Sequence, residues 1–185
     1  MFIQTESTPN PATLKFLPGG PVLNGSRDFP SARDAKASPL ASAIFAIDGV
    51  GGVFFGPDFI SVTKSSGDWP QLKPAILGAI MEHFMSGEPI LTPGAGEADS
   101  SPDEFFAPEH AETVSQIKEL LETRVRPTVA ADGGDIVFRG FKDGTVYLHM
   151  KGACSGCPSS TATLKRGVQN LLCHFIAEVK LVEQV

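Results

Sequence analysis

The apolar positions of this chain change period several times, and each change marks an element. Ala12–Leu17 reads as a strand closed by Pro18-Gly19-Gly20. Ser38 and Pro39 fit the cap and first turn of a short helix over Leu40–Ile47, with Gly49 as its stop. Val53–Phe55 and Phe59–Thr63 flank Gly56-Pro57-Asp58 as a hairpin. Asp68 opens a longer helix that ends near Gly87, with Leu72, Ile76, Ile80 and Phe84 forming its buried stripe. Farther on, Val114, Ile117 and Leu121 lie on one helical face. That helix is expected to end before Pro127, because the residue ahead of a proline avoids the α conformation. Asp132-Gly133-Gly134-Asp135 reads as a turn. Ile136–Phe141 and Thr145–Met150 are strands joined through Lys142-Asp143-Gly144. A helix capped by Ser159 or Ser160 follows, with Leu164, Val168, Leu171 and Phe175 as its apolar stripe. Val179–Val185 adds a final edge strand.

The pattern breaks once at length. Residues 91–110 combine Pro, Gly and Ser with five acids and no Lys or Arg. The net charge of −6 divides as −2 over 1–90, −5 over 91–110 and +1 over 111–185. The expected organisation is therefore α+β: two small α/β-type domains, 1–90 and 111–185, joined by a flexible acidic linker, 91–110. Phe105 and Phe106 are the part of the linker suited to docking on a domain. With 185 residues, the chain has length for two small domains. No stretch reaches the roughly 20 apolar residues that cross a bilayer. The start has no basic, Arg-rich or signal-like character, so no targeting segment is expected. The acidic balance argues against nucleic acid as the main partner.

Three cysteines are present. Cys154 and Cys157 lie in Lys151-Gly152-Ala153-Cys154-Ser155-Gly156-Cys157-Pro158, between a strand and a helix. Free N–H groups and the dipole at a helix start favour anions, thiolates included, and such a glycine-rich loop is expected to be exposed. Two residues between the cysteines let both sulfurs face one metal centre, yet a tetrahedral zinc or an iron–sulfur cluster usually takes four ligands. Cys173 lies on the order of 20 Å along the helix and is read as an incidental surface cysteine beside Arg166 and Gln169. His83, His110, His149 and His174 show no ligand spacing. A second copy about a two-fold axis would complete the set. A zinc site shared by two chains has the same ligand chemistry. A thioredoxin-like dithiol is a further reading, although that fold needs more strands than the chain has left. Gly152-Ala153-Cys154-Ser155-Gly156 also mimics a nucleophile elbow but has only His174 downstream. Lys151 and Lys165 are either counter-charges to a bound cluster or ordinary solvated lysines.

Residues 111–185 closely resemble the carboxy-terminal domain of NifU-like (Nfu-type) iron–sulfur scaffold proteins. The likeness is carried by Ile117-Lys118-Glu119-Leu120-Leu121, Arg126-Pro127-Thr128, Asp132-Gly133-Gly134-Asp135 and Cys154-Ser155-Gly156-Cys157-Pro158-Ser159-Ser160. The first 90 residues resemble the amino-terminal domain paired with it, through Thr8-Pro9-Asn10-Pro11, Leu14-Lys15-Phe16, Asp28-Phe29-Pro30, Ser38-Pro39-Leu40-Ala41 and Val53-Phe54-Phe55-Gly56-Pro57-Asp58-Phe59-Ile60. The resemblance implies a non-enzymatic carrier of a [4Fe-4S] cluster, bridging a homodimer and bound by Cys154 and Cys157 of each subunit. It also implies upstream cluster assembly proteins as donors and apo iron–sulfur proteins as recipients, with no nucleic acid or membrane partner. The amino-terminal domain is expected to aid partner recognition. A bacterial cytoplasmic location is expected, or the mitochondrial matrix if a transit peptide was removed. Family members do not generally need a cysteine at position 173.

Overall fold

The computed structural model describes residues 2–95, 104–154 and 158–185, with the side chains of 158–160 left out. They fall into two compact units, one within 1–100 and one within 101–185. Each has the α+β architecture expected from the sequence.

The first unit is a five-stranded antiparallel sheet with two helices on one face. Its strands are β1 (Gln4–Ser7), β2 (Thr13–Leu17), β3 (Arg27–Phe29), β4 (Val50–Phe55) and β5 (Ile60–Lys64), in the order β1-β2-β5-β4-β3. Register places Phe16 opposite Ile60 and Ile60 opposite Phe55. These side chains share one face with Phe29, Val53 and Val62. Helices α1 (Pro39–Phe45) and α2 (Trp69–Ser86) cover that face with Leu40, Ala41, Ile44, Leu72, Ile76 and Ile80. Strands β1 and β3 are short and largely polar, so their apolar pattern gives no strand signal in the sequence.

Ser38 caps α1 as expected. Its Oγ accepts from the Ala41 N–H at 3.1 Å, and it donates in turn to the Ile90 carbonyl. Thr92 N–H reaches the Ala37 carbonyl at 2.9 Å, so the described start of the 91–110 segment lies against this unit. Asp68 occupies the cap position of α2 but makes no side-chain cap bond. Gly87 ends α2 at φ 72°, a left-handed conformation that glycine adopts without strain. The stripe of α2 closes on His83 rather than Phe84: His83 is 6% exposed, and Phe84 is half-buried.

The second unit is a four-stranded mixed sheet, β6 (Phe105–Phe106), β7 (Gly134–Lys142), β8 (Thr145–Gly152) and β9 (Leu181–Gln184), in chain order across the sheet. β7 and β8 form an antiparallel hairpin. β6 and β9 run parallel to their neighbours. Phe105 lies over Gly140, where a Cβ would collide with its ring, and meets Tyr147 at 5.1 Å. The aromatic pair of the acidic segment thus docks as an edge strand.

Helices α3 (Ala111–Leu120), α4 (Arg126–Ala131) and α5 (Pro158–Phe175) supply the rest of this core. The helix expected to stop before Pro127 does not stop. A five-residue π turn, Leu121–Val125, joins α3 to α4, and Pro127 sits in the first turn of α4. The wider turn moves the carbonyl ladder out of the proline ring's way, and the missing N–H falls where a helix start leaves it unpaired. The stripe of α5 also differs from expectation. Val168 and Leu172 are buried, as is Ile176 just past the helix, Leu164 and Leu171 are partly so, and Phe175 is 52% exposed. The adjacent pair Leu171-Leu172 makes the two stripes indistinguishable by period alone. Cys173 is half-buried against this core rather than on the polar face.

His83 generates a pH prediction. Its buried Nε2 has no hydrogen-bond partner among the described residues. Burial lowers its pKa below the ordinary value of 6.5, and Glu88 offsets this only in part. The unfolded chain therefore binds a proton that the folded unit resists, and stability falls as pH drops below about 6.5. In urea titrations between about pH 7.5 and 5, the unfolding midpoint of the first unit should decline, and His83→Leu should flatten that decline.

Candidate functional site

Strand β8 delivers the chain to Ala153 and Cys154, and α5 leads it away from Pro158. Cys157 lies outside the described residues, as do the side chains of Ser159 and Ser160, so the expected cap and second sulfur have no geometry here. Cys154 is well defined by its neighbours. Ala153 N–H donates to the Gly133 carbonyl at 3.2 Å, and the Thr161 hydroxyl donates to the Cys154 carbonyl at 2.8 Å. The sulfur lies against the first residue of β7. A Cβ built on Gly134 would stand 2.7 Å from Cys154 Sγ, 2.7 Å from the Lys151 carbonyl oxygen and 3.1 Å from the Cys154 nitrogen.

The Asp132-Gly133-Gly134-Asp135 segment is therefore more than the turn its composition suggests. Gly133, at φ 81°, turns the chain out of α4, and Gly134 leaves room for the sulfur. Asp135 forms the charged floor beside it. Its carboxylate is buried and held by the Arg126 guanidinium through two bonds of 2.8 Å. It also accepts its neighbour Ile136 N–H at 2.8 Å. Arg126 pairs with Glu122 on the preceding turn. The Asp135 hydrogen bond is the main cause raising the Arg126 pKa above its ordinary value, so this cation is permanent. The sequence held one signal for the floor: glycines both at the start of one strand and at the end of its hairpin partner. Gly134 faces Gly152 across the ladder.

At Cys154 the electrostatics differ from the expectation of an exposed loop that favours a thiolate. Cys154 is 6% exposed, and its thiol pKa is pushed up to about 12, first by burial and then by the Asp132 and Asp135 charges. In the metal-free chain it is a shielded, protonated thiol at neutral pH. Metal binding at this sulfur must release that proton. Neither lysine is an ordinary solvated one. Lys165 pairs with Glu183 at 2.8 Å, and Lys151 is buried on β8 opposite Asp135. Two of the histidines are engaged elsewhere: His149 Nδ1 meets the Val185 carbonyl at 2.9 Å, and His110 lies between Glu109 and Glu178. Among the described residues, no three or more of His, Cys, Asp and Glu are grouped to hold a metal ion.

Two expectations follow. Gly134→Ala should destabilise the second unit by about 1–3 kcal/mol, the usual cost of overpacking, since two of the three crowded atoms are backbone. Denaturant unfolding of that unit measures this. The raised thiol pKa also has a definite sign. Between about pH 9, where the unfolded thiol ionises, and about pH 12, the folded state binds more protons than the unfolded one. Stability should fall with rising pH across that window, and Cys154→Ala should show a shallower fall in the same titration.

Residues 3–87 match the family model described as the N-terminal domain of scaffold protein Nfu/NifU, and residues 117–183 match that of the NifU-like domain. "NifU-like protein 5, mitochondrial" of Arabidopsis thaliana is 54% identical, the match covering 100% of this chain and 68% of that protein. "NFU1 iron-sulfur cluster scaffold homolog, mitochondrial" of Homo sapiens is 53% identical, covering 100% of this chain and 72% of that protein. Among solved structures, a NifU-like protein from Saccharomyces cerevisiae is 29% identical with a TM-score of 0.45, over 50% of this chain and 85% of that one. The chain belongs to the Nfu/NifU scaffold family, with the amino-terminal Nfu domain followed by a NifU-like domain.

Proposed function

We propose that this chain is an iron–sulfur cluster scaffold and carrier. It takes a [4Fe-4S] cluster as cargo between Cys154 and Cys157 of two copies, and passes it to apo iron–sulfur proteins. The observation that supports this best is the setting of Cys154. Its carbonyl is held by Thr161 and the preceding Ala153 by Gly133, it is the first cysteine of the Cys-x-x-Cys sequence, and burial keeps its thiol protonated at neutral pH. The human relative's name, an iron-sulfur cluster scaffold homolog, points the same way.

The two-copy reading rests on ligand arithmetic. One chain offers two close cysteines where a cluster usually takes four ligands. A site divided between two chains is also easy to release, because separation of the chains or exchange of ligands frees the cargo. The protein's own part is to hold and orient Cys154. Arg126 neutralises Asp135 beneath it, which limits the repulsion an ionised sulfur would meet there. A dithiol oxidoreductase needs an accessible thiolate near neutral pH, and the shielded Cys154 is poorly suited to that role. The domain division 1–90, 91–110 and 111–185, with partner recognition by the first part, belongs to the same proposal. The relatives' names place them in mitochondria, which favours the matrix over a bacterial cytoplasm for this chain.

Anaerobic reconstitution with iron and sulfide tests the reading. The chain should gain the visible charge-transfer absorption of an iron–sulfur cluster, about four irons per dimer, and a dimeric mass. Cys154→Ala and Cys157→Ala should each abolish all three. Stoichiometric zinc binding without cluster uptake would overturn the proposal in favour of a shared zinc site.

A further inference from the structure

Thr161 uses its hydroxyl in an unusual way for a helical threonine. Within a helix, a Thr hydroxyl ordinarily bonds the carbonyl three or four residues back on its own element. Thr161 lies in the first turn of α5, yet it donates to the carbonyl of Cys154, seven residues back in the turn that follows β8. On the other side of Cys154, the Ala153 N–H is tied to the Gly133 carbonyl. The peptide group after the Cys154 Cα is thus held by Thr161, and the one before the Ala153 Cα by Gly133. On its carbonyl side the Cys154 backbone is therefore set by Thr161, and that bond helps fix where the sulfur can lie. The direction it takes is the recess over Gly134, where the absent Cβ leaves room.

We infer that Thr161 is a positioning residue for Cys154. Its hydroxyl holds the Cys154 carbonyl so that the thiol lies in the recess over Gly134, and the metal-free chain thereby shields this ligand from oxidants and electrophiles. The inference rests on the carrier reading only for its purpose, because a carrier spends part of its cycle with its cysteines unliganded. The geometry stands without that reading.

The test labels the metal-free full-length chain with a pulse of N-ethylmaleimide at one pH and quantifies the Cys154 and Cys173 peptides by mass spectrometry. Thr161→Val keeps the shape and removes the hydroxyl. It should label Cys154 on the order of fivefold faster than the unmodified chain, the population change that one neutral side chain–backbone hydrogen bond carries. Thr161→Ser keeps the hydroxyl and should stay within about twofold. Labelling of the half-buried Cys173 should not change in either variant, which separates a local release from loosening of the unit. Unchanged Cys154 labelling in Thr161→Val would overturn the inference. So would equal acceleration in Thr161→Ser, or a parallel rise at Cys173. Cluster uptake by the unmodified chain is scored separately. Uptake with no Thr161→Val effect keeps the carrier reading and rejects this one; the effect without uptake does the reverse.

Discussion

The close approach of Gly134 to Cys154 governs the arrangement of the second unit. Two backbones and a sulfur occupy the space where any other residue would carry a Cβ. That contact is possible because β7 and β8 pair from their outermost residues, Gly134 opposite Gly152. The same register places Asp135 beside Lys151 and Ile136 beside Met150. Asp135 then lies away from water, where an unpaired carboxylate would be costly, and the Arg126 fork meets it. Arg126 is available because the π turn carries the helix on past Pro127. The strand register, the turn glycines, the ion pair and the helix irregularity thus form one connected set of constraints around one sulfur.

These constraints explain why the cysteine behaves differently from the simplest expectation for a loop at a helix start. A helix dipole stabilises a nearby anion by about 1 kcal/mol or less at an exposed position. Removal from water acts in the opposite sense and is larger when exposure is nearly lost, and the two aspartates add to it. The resting thiol is protected as a result. For a carrier this is a coherent state: an unliganded soft ligand in a reactive position would be open to oxidation, whereas a protonated, recessed one is slow to react.

The acidic segment shows a division of roles within a single stretch. Its described ends are tied down, by Thr92 against the Ala37 carbonyl on one side and by the Phe105-Phe106 strand on the other. Both ties use groups that the charge pattern hides, namely backbone bonds and an aromatic pair. An edge strand of two residues, with its first ring over Gly140, adds apolar cover to the sheet without extending a long pairing edge.

Much was readable from residues alone, and the reasons are local. Ser38-Pro39 starts a helix because a hydroxyl cap and a fixed φ act over three residues. Gly87 ends one because only a left-handed turn is needed there. Lys142-Asp143-Gly144 makes a hairpin for similar reasons. The Cys154–Cys157 spacing was equally plain in the chain, as was the family likeness. The exact stripes of α2 and α5, the helix that runs through Pro127, and the half-buried Cys173 were not, because each depends on which neighbour packs against an ambiguous pair or permits an irregular turn. The same holds for the site. The sequence by itself named the candidate sulfur; only the tertiary structure decided its surroundings, because burial, the Asp135 charge, the Arg126 fork and the Thr161 bond come from elements separated along the chain and meet only once the hairpin and helices have packed.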